Sequence, residues 1–206
     1  MGTLLNQRFD KSQVDGHGAD EILAALQLEQ FQHDEKYHRE ISRLAIQDRL
    51  KHMALHFAKY AGYFIEALGD DVRIKRVVTD TAIIALSTAN ILNLDLREHL
   101  ADIETLRSSK SLLVLGGRLG EASSGLYNDP EMLLFRTSPV AGRMAGACEK
   151  LDHLEDFPYR KVIAESVVEM LELMMTYAAR RDWRLEELVR ERLSGVKEKS
   201  IFHGRI

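Results

Sequence analysis

KVIAESVVEMLELMMTY, Lys161 to Tyr177, is the stretch that decides the fold. Glu165, Glu169 and Glu172 stand at i, i+4 and i+7, so at 3.6 residues per turn they stack on one stripe of a helix. The rest of the wheel carries Ile163, Val167, Val168, Met170, Leu171, Leu173, Met174 and Met175, an apolar surface far wider than one core-facing side needs. Such a helix is expected to be largely buried, surrounded by others. Like charges three and four residues apart repel by about 0.2–0.5 kcal/mol in water, and by more when desolvated. A cationic group is therefore expected among them.

Upstream, Glu149, Asp152, Glu155 and Asp156 extend the acidic cluster, with Pro158 and a short polar turn between them and the stripe. Glu149, Asp152, His153 and Asp156 share one face of a helix placed at about Ser138 to Asp156. Two acidic stripes would then face each other. Oxygen ligands on neighbouring helices suit a hard cation such as Mg2+ or Mn2+. A solvated or ion-paired surface is the competing reading, with Lys161 in reach of Glu165 at i, i+4 and Arg160 or Arg180 neutralising others.

With 206 residues, 45% hydrophobic and 29% charged, the chain can bury one ordinary core or two small repeats. Its net charge of −4 gives no general reason to expect nucleic acid or an anionic membrane as partner. Cys148 is the only cysteine, which excludes an internal disulfide and a cysteine-rich zinc site and fits a reducing compartment. The start, MGTLLNQRFDKSQ, lacks a signal-peptide pattern, and the most apolar run, TAIIALSTANIL, is broken by Ser87, Thr88 and Asn90. A cytoplasmic protein is expected.

Residues 1–18 are polar and glycine-bearing and read as an arm. Residues 19–111 read as an N-terminal helical half: a helix from Ala19 through ILAALQLEQF, a charged stretch HDEKYHRE, a helix from Ile41 or Asp48 to Leu68 stopped by Gly69, and a buried helix from Val72 to Leu92. Asp95 is a suitable N-cap for LREHLADIETL. Glycines, serines and an Asp-Pro turn in Leu112 to Glu131 predict a connecting loop, 112–131. Residues 132–206 then form the acidic C-terminal half, ending in EELVRERLSGVKEK and a basic tail. The fold class is all-α, a helical bundle.

The halves can be laid over each other. VVTDTAIIALSTANILNLDLREHL, Val77 to Leu100, aligns without gaps to SVVEMLELMMTYAARRDWRLEELV, Ser166 to Val189, placing Asp80 on Glu169, Leu96 on Leu185 and Glu98 on Glu187. With one more residue in the turn, His56 to Phe64 falls on Gly146 to Leu154.

A helix, a turn, a second helix with an acid near its start, then a Leu-x-Glu cap and a basic terminal helix is similar to the MazG-like all-α nucleotide pyrophosphohydrolases. The resemblance covers roughly 49–100 and 140–199. In that family an EExxE motif and an ExxD motif on successive helices bind magnesium, which activates water to split a nucleoside triphosphate into monophosphate and pyrophosphate. Here the EExxE places read Lys59-Tyr60-Ala61-Gly62-Tyr63 and Glu149-Lys150-Leu151-Asp152-His153, and the ExxD places are Val77 to Asp80 and Ser166-Val167-Val168-Glu169. Glu165, Asp152, Asp156 and Glu172 each lie within a turn of a family position. The resemblance implies a fused pseudo-dimer and a Mg2+- or Mn2+-dependent nucleoside triphosphate pyrophosphohydrolase. Glu149 and Glu169 fall on family places and would be the catalytic carboxylates, one of them accepting the water's proton; with Asp152, Glu165 and Glu172, which our own reading of the neighbouring turns adds to the family's pattern, they would hold the metal. Arg49, Lys59 and Arg192 would contact phosphate. The chain is also open to homo-oligomerisation. The alternative is a non-catalytic helical binding or assembly protein that keeps the fold.

The first half presents the opposite charge. Arg49, His52, His56, Lys59, Tyr60 and Tyr63 lie within about a third of a helical wheel, opposite Ala54, Ala58, Ala61, Ile65 and Leu68. That stripe can hold a triphosphate and stack a base, or pair with the acidic stripe across the bundle. His52-Met53-Ala54-Leu55-His56 has a two-histidine zinc spacing but lacks the glutamate of a zincin. His33-Asp34 reads as a surface pair without companions for a phosphohydrolase of the HD type. Gly116-Gly117-Arg118-Leu119-Gly120 lacks the Lys-Ser/Thr of a phosphate loop and reads as a turn. Met170, Met174 and Met175 read as core, and nothing beside Cys148 activates it as a nucleophile.

Overall fold

Amphipathic and fully apolar helical patterns run through most of the chain, and they fold as such. The computed structural model describes residues 18–122 and 130–199. In chain order the helices are α1 (Ala19–Tyr37), α2 (Arg39–Ser42), α3 (Ile46–Glu66), α4 (Asp71–Ile91), α5 (Arg97–Leu100), α6 (Ile103–Ser108), α7 (Leu112–Ala122), α8 (Pro130–Phe135), α9 (Thr137–Asp152), α10 (Tyr159–Arg180) and α11 (Leu185–Lys199). Among the described residues there is no strand, and the fold is an all-α bundle. Residues 1–17 of the expected N-terminal arm, 123–129 of the expected connecting loop and 200–206 of the basic tail lie outside the described residues.

Two helical hairpins, α3–α4 and α9–α10, make the centre, with α3 against α9 and α4 against α10. Helices α1 and α11 cover α4, and α7 covers α10. The breaks between helices follow local chemistry. Gly69 takes φ +83°, a conformation open to glycine, and Asp70 then caps α4 by accepting from the backbone N–H groups of Val72 and Arg73 at 3.1 and 3.0 Å. Asp95 accepts from the N–H of Arg97, but LREHLADIETL is split in two, because Asp102 opens α6 by accepting from Thr105. Helix α1 runs on through the charged stretch to Tyr37, and α9 stops at Asp152, four residues before the expected Asp156: the chain turns left-handed at Leu154 (φ 53°), so His153 and Asp156 lie beyond the helix and do not share its face with Glu149 and Asp152.

The turns after α4 and α10 share one backbone solution. Asn93 (φ 50°) and Asp182 (φ 54°), which align, both turn left-handed, and the next residues, Leu94 and Trp183, donate to Ala89 and Ala178 at 2.9 Å each. Asn and Asp are the non-glycine residues that tolerate this conformation best. The aligned Leu96 and Leu185 then both bury completely.

Two expectations are corrected. Leu112 to Ala122 is not part of a loop but helix α7, and Gly116 and Gly120 are not turn residues. Spaced i, i+4, they form a groove along α7 that lets its backbone lie on α10: a Cβ on Gly116 would run into the carbonyl of Met175, 2.7 Å from its carbon, and one on Gly120 would come 2.8 Å from Thr176 Cγ2. The glycines are contact points, and their poor helix propensity is outweighed by packing. On α3 the buried face is Leu50, Met53, Ala54, Phe57, Tyr60, Ala61 and Phe64, while Ala58, Ile65 and Leu68 are exposed. The large Phe57 and Phe64 set which side turns inward, since each removes far more apolar area from water than an alanine.

Gly116→Ala is expected to lower unfolding free energy by about 1–3 kcal/mol through overpacking. Gly117→Ala, where nothing lies within 4 Å, should raise it by about 0.5–1 kcal/mol by helix propensity. Urea titration of both variants checks the pair, and equal effects would contradict the close approach.

Candidate functional site

A cavity of about 250 Å³ opens between α1, α3, α4 and α11. Helix α1 contributes Gln30, His33 and Asp34, with His38 just beyond its end; α3 contributes Arg49, His52, His56 and Tyr60; α4 contributes Asp80 and Ser87; α11 contributes Arg192. Polar groups meet here because each projects from the border of its helix's buried face. On α1, Gln30 and His33 continue the stripe of Leu23 and Leu26 at spacings of four and three, so they turn inward with it.

His33-Asp34 is accordingly not a surface pair. His33 is 4% exposed, and neither ring nitrogen has a hydrogen-bond partner; Nδ1 lies 3.8 Å from Asp34 Oδ1, beyond bonding reach. A buried polar group left in this way costs about 1–3 kcal/mol, so a group that bonded to it from the cavity would stabilise the fold. Asp34 is fixed from two sides: Gln30 Nε2 donates to Oδ1 at 2.8 Å and Ser87 Oγ to Oδ2 at 2.5 Å. Burial works to raise its pKa, but His33, these two donors and the charge of His38 hold it below the usual carboxylate value.

On the α3 side, His52 and His56 bring their Nε2 atoms to 3.1 Å, and Lys59 Nζ lies 3.0 Å from His56 Nδ1. Burial first, then the charges of Lys59 and His52, push His56 down to about 4. Burial and Asp80 push the Tyr60 phenol up to about 12, so it stays a hydrogen-bond donor. Arg192 grips Asp80 at 2.6 and 3.3 Å, while the Nε of Arg49 is buried without a partner. Two arginines and two aspartates thus offset each other across the cavity.

Two of the three expected phosphate contacts, Arg49 and Arg192, therefore converge on one cavity. Lys59 is exposed and stacks over the Tyr60 ring at 4.5 Å. The expected acids sit elsewhere. Glu165, Glu169 and Glu172 line an open groove of about 1060 Å³ with Arg136, Arg160 and Lys161. The cationic company expected of them is present: Arg143 of α9 binds Glu169 directly, Arg136 lies 3.9 Å from it, and Lys161 lies 3.8 Å from Glu165. Asp152 pairs with Lys51 of α3 at 2.5 Å, and Glu149 is exposed near the end of α9. The basic stripe of α3 does not pair with the acidic stripe of α10. Nor does the structure draw those five acids together: among the described residues, the one group of three or more His, Cys, Asp or Glu ligand atoms within 4.8 Å of one another is His33, Asp34 and His38. Cys148 is buried, and burial first, then Asp152, raises its thiol pKa, as suits an inert core cysteine.

Set against known proteins, the chain matches no family model, no curated protein and no solved structure.

The depressed pKa of His56 has a consequence for pH. Between the ordinary value of 6.5 and about 4, the unfolded chain binds a proton that folded His56 refuses. Its contribution to stability is fully present above pH 6.5 and falls as pH drops through that window. Melting temperatures measured from pH 7 to 4.5 should therefore decline less steeply in His56→Gln than in wild type; parallel curves would refute the assignment.

Proposed function

We propose that the chain is a metal-dependent nucleotide pyrophosphohydrolase whose reaction centre is the cavity between α1, α3, α4 and α11. The observation that carries this reading is Arg49, a guanidinium with a buried, unpartnered Nε on a wall that also holds Asp34 and histidines. An arginine so placed matches a phosphate oxygen, the acceptor its planar fork suits best. Because the cavity's arginines and aspartates offset each other, a bound divalent cation would leave it positive and favour an anionic substrate. That cation would supply Lewis acidity and an activated water. Arg192, preset by Asp80, adds a second cationic group, and the protonated Tyr60 adds a neutral donor. The volume lies below the range of about 300–1000 Å³ typical of sites that engulf whole ligands, so it suits a phosphate tail with the nucleoside at the mouth. The helical resemblance to MazG-like enzymes points to the same substrate class, with magnesium or manganese as the family's cations.

A second reading, a non-catalytic helical binding or assembly protein, is favoured by the ion pairs of the acidic stripe. Glu169 with Arg143 and Asp152 with Lys51 tie α9 to α10 and α3, a packing role that leaves no carboxylate of that pair for catalysis.

Pyrophosphate release from a panel of canonical, deoxy and modified nucleoside triphosphates, with divalent metal and with chelator, separates the two. The enzyme reading expects metal-dependent release that drops by about tenfold or more in Arg49→Ala, the loss of one charge-assisted contact. Silence across the panel from folded protein would leave the binding protein as the surviving reading.

A further inference from the structure

We infer that His33, Asp34 and His38 form a binding site for one divalent metal ion of the borderline class, Zn2+, Mn2+, Co2+ or Ni2+, in preference to Mg2+. Three features carry this. The ligand atoms of the three residues already lie within 4.8 Å of one another, close enough for a single ion to reach all of them. His33 supplies a buried imidazole with no hydrogen-bond partner at either nitrogen, the state of a ligand whose partner is not protein. Asp34 is held by Gln30 and Ser87 with a lone pair to spare on each oxygen, the outer-shell bracing that orients metal ligands.

The setting favours a cation for two further reasons. His33 and Asp34 lie in the last turns of α1, where the helix dipole presents its negative end. His38 is the first residue outside that helix (φ −128°, ψ 42°), and its ring comes to 5.4 Å from the His33 ring, with Glu40 3.6 Å from its Nδ1. Two imidazoles and one carboxylate are the wrong donors for Mg2+, which prefers oxygen and water, and the right ones for zinc-like ions. Three protein ligands leave a further position open toward the cavity, as in metal sites that do chemistry and unlike closed structural ones. The inference deepens the proposed function by saying where its cation sits, but metal binding can be read without turnover.

The test is titration of chelator-stripped protein with Zn2+, Co2+, Mn2+ and Mg2+ separately, following stoichiometry by calorimetry, the visible absorption of bound Co2+, and the melting temperature. One equivalent of Zn2+ or Co2+ per chain is expected, with a raised melting temperature and with Mg2+ far weaker. Because His33 and Asp34 are buried, the partly exposed His38 is the informative position. His38→Ala should fold and lose at least tenfold in affinity, while His52→Gln/His56→Gln should bind as wild type. No stoichiometric binding, binding unchanged in His38→Ala, or binding lost instead in the α3 double variant would overturn the site. Stoichiometric Zn2+ binding with a silent nucleotide panel would keep the site and remove the hydrolase. Mg2+-driven turnover indifferent to His38→Ala would keep the hydrolase and remove the site.

Discussion

Helix α10 must be surrounded. Ile163, Val167, Met170, Leu171, Leu173, Met174, Met175 and Tyr177 occupy nearly its whole circumference and are all buried, so no single partner helix can satisfy it. Each such side chain gains about 1.5–3 kcal/mol on leaving water, which makes an open side on α10 more expensive than any individual loop or ion pair. The rest of the architecture follows from covering it: α4 on one flank, α9 on another, and α7 pressed against its backbone through Gly116 and Gly120. The glutamates survive on the remaining strip because arginine and lysine side chains meet them there.

The same scaffold holds two chemically different environments at aligned positions. Asp80 on α4 and Glu169 on α10 are both carboxylates held by arginine, Arg192 in one case and Arg143 in the other. What differs is the cover. Beside Asp80, the end of α1 and the α3 histidines close a small cavity whose walls are largely apolar, whereas Glu169 faces a wide open groove. Enclosure lowers the local dielectric and gives each unpaired donor a consequence that it lacks in a solvated groove.

Much of the bundle was legible because periodicity is a direct image of burial. The stripes of α4 and α10, the Gly69 stop and the alignment of Asn93 with Asp182 can all be read from residue types. Helix α7 was not, because LGGRLG has the composition of a turn; only the i, i+4 spacing of Gly116 and Gly120 signals a close-packed helix face. The α3 face was misjudged by counting alanines when Phe57 and Phe64 dominate the area. Arg49 and Arg192 were legible as candidate residues from charge and position, and the bundle brings both to one cavity. His33 was not, although its register with Leu23, Leu26 and Gln30 points inward; in sequence it sits among charges, and burial of the end of α1 depends on α4 and α11, distant in the chain.

The isolated cysteine turns one seam of this bundle into something observable. Cys148 lies on α9 close to the Lys51–Asp152 pair that joins α9 to α3, with its thiol shielded from solvent and disfavoured as thiolate. A thiol reagent must wait for that seam to part before it can react. Since no other sulfhydryl competes, the labelling rate of the unmodified chain counts openings between its two halves, a clock for their separation that needs no engineered probe.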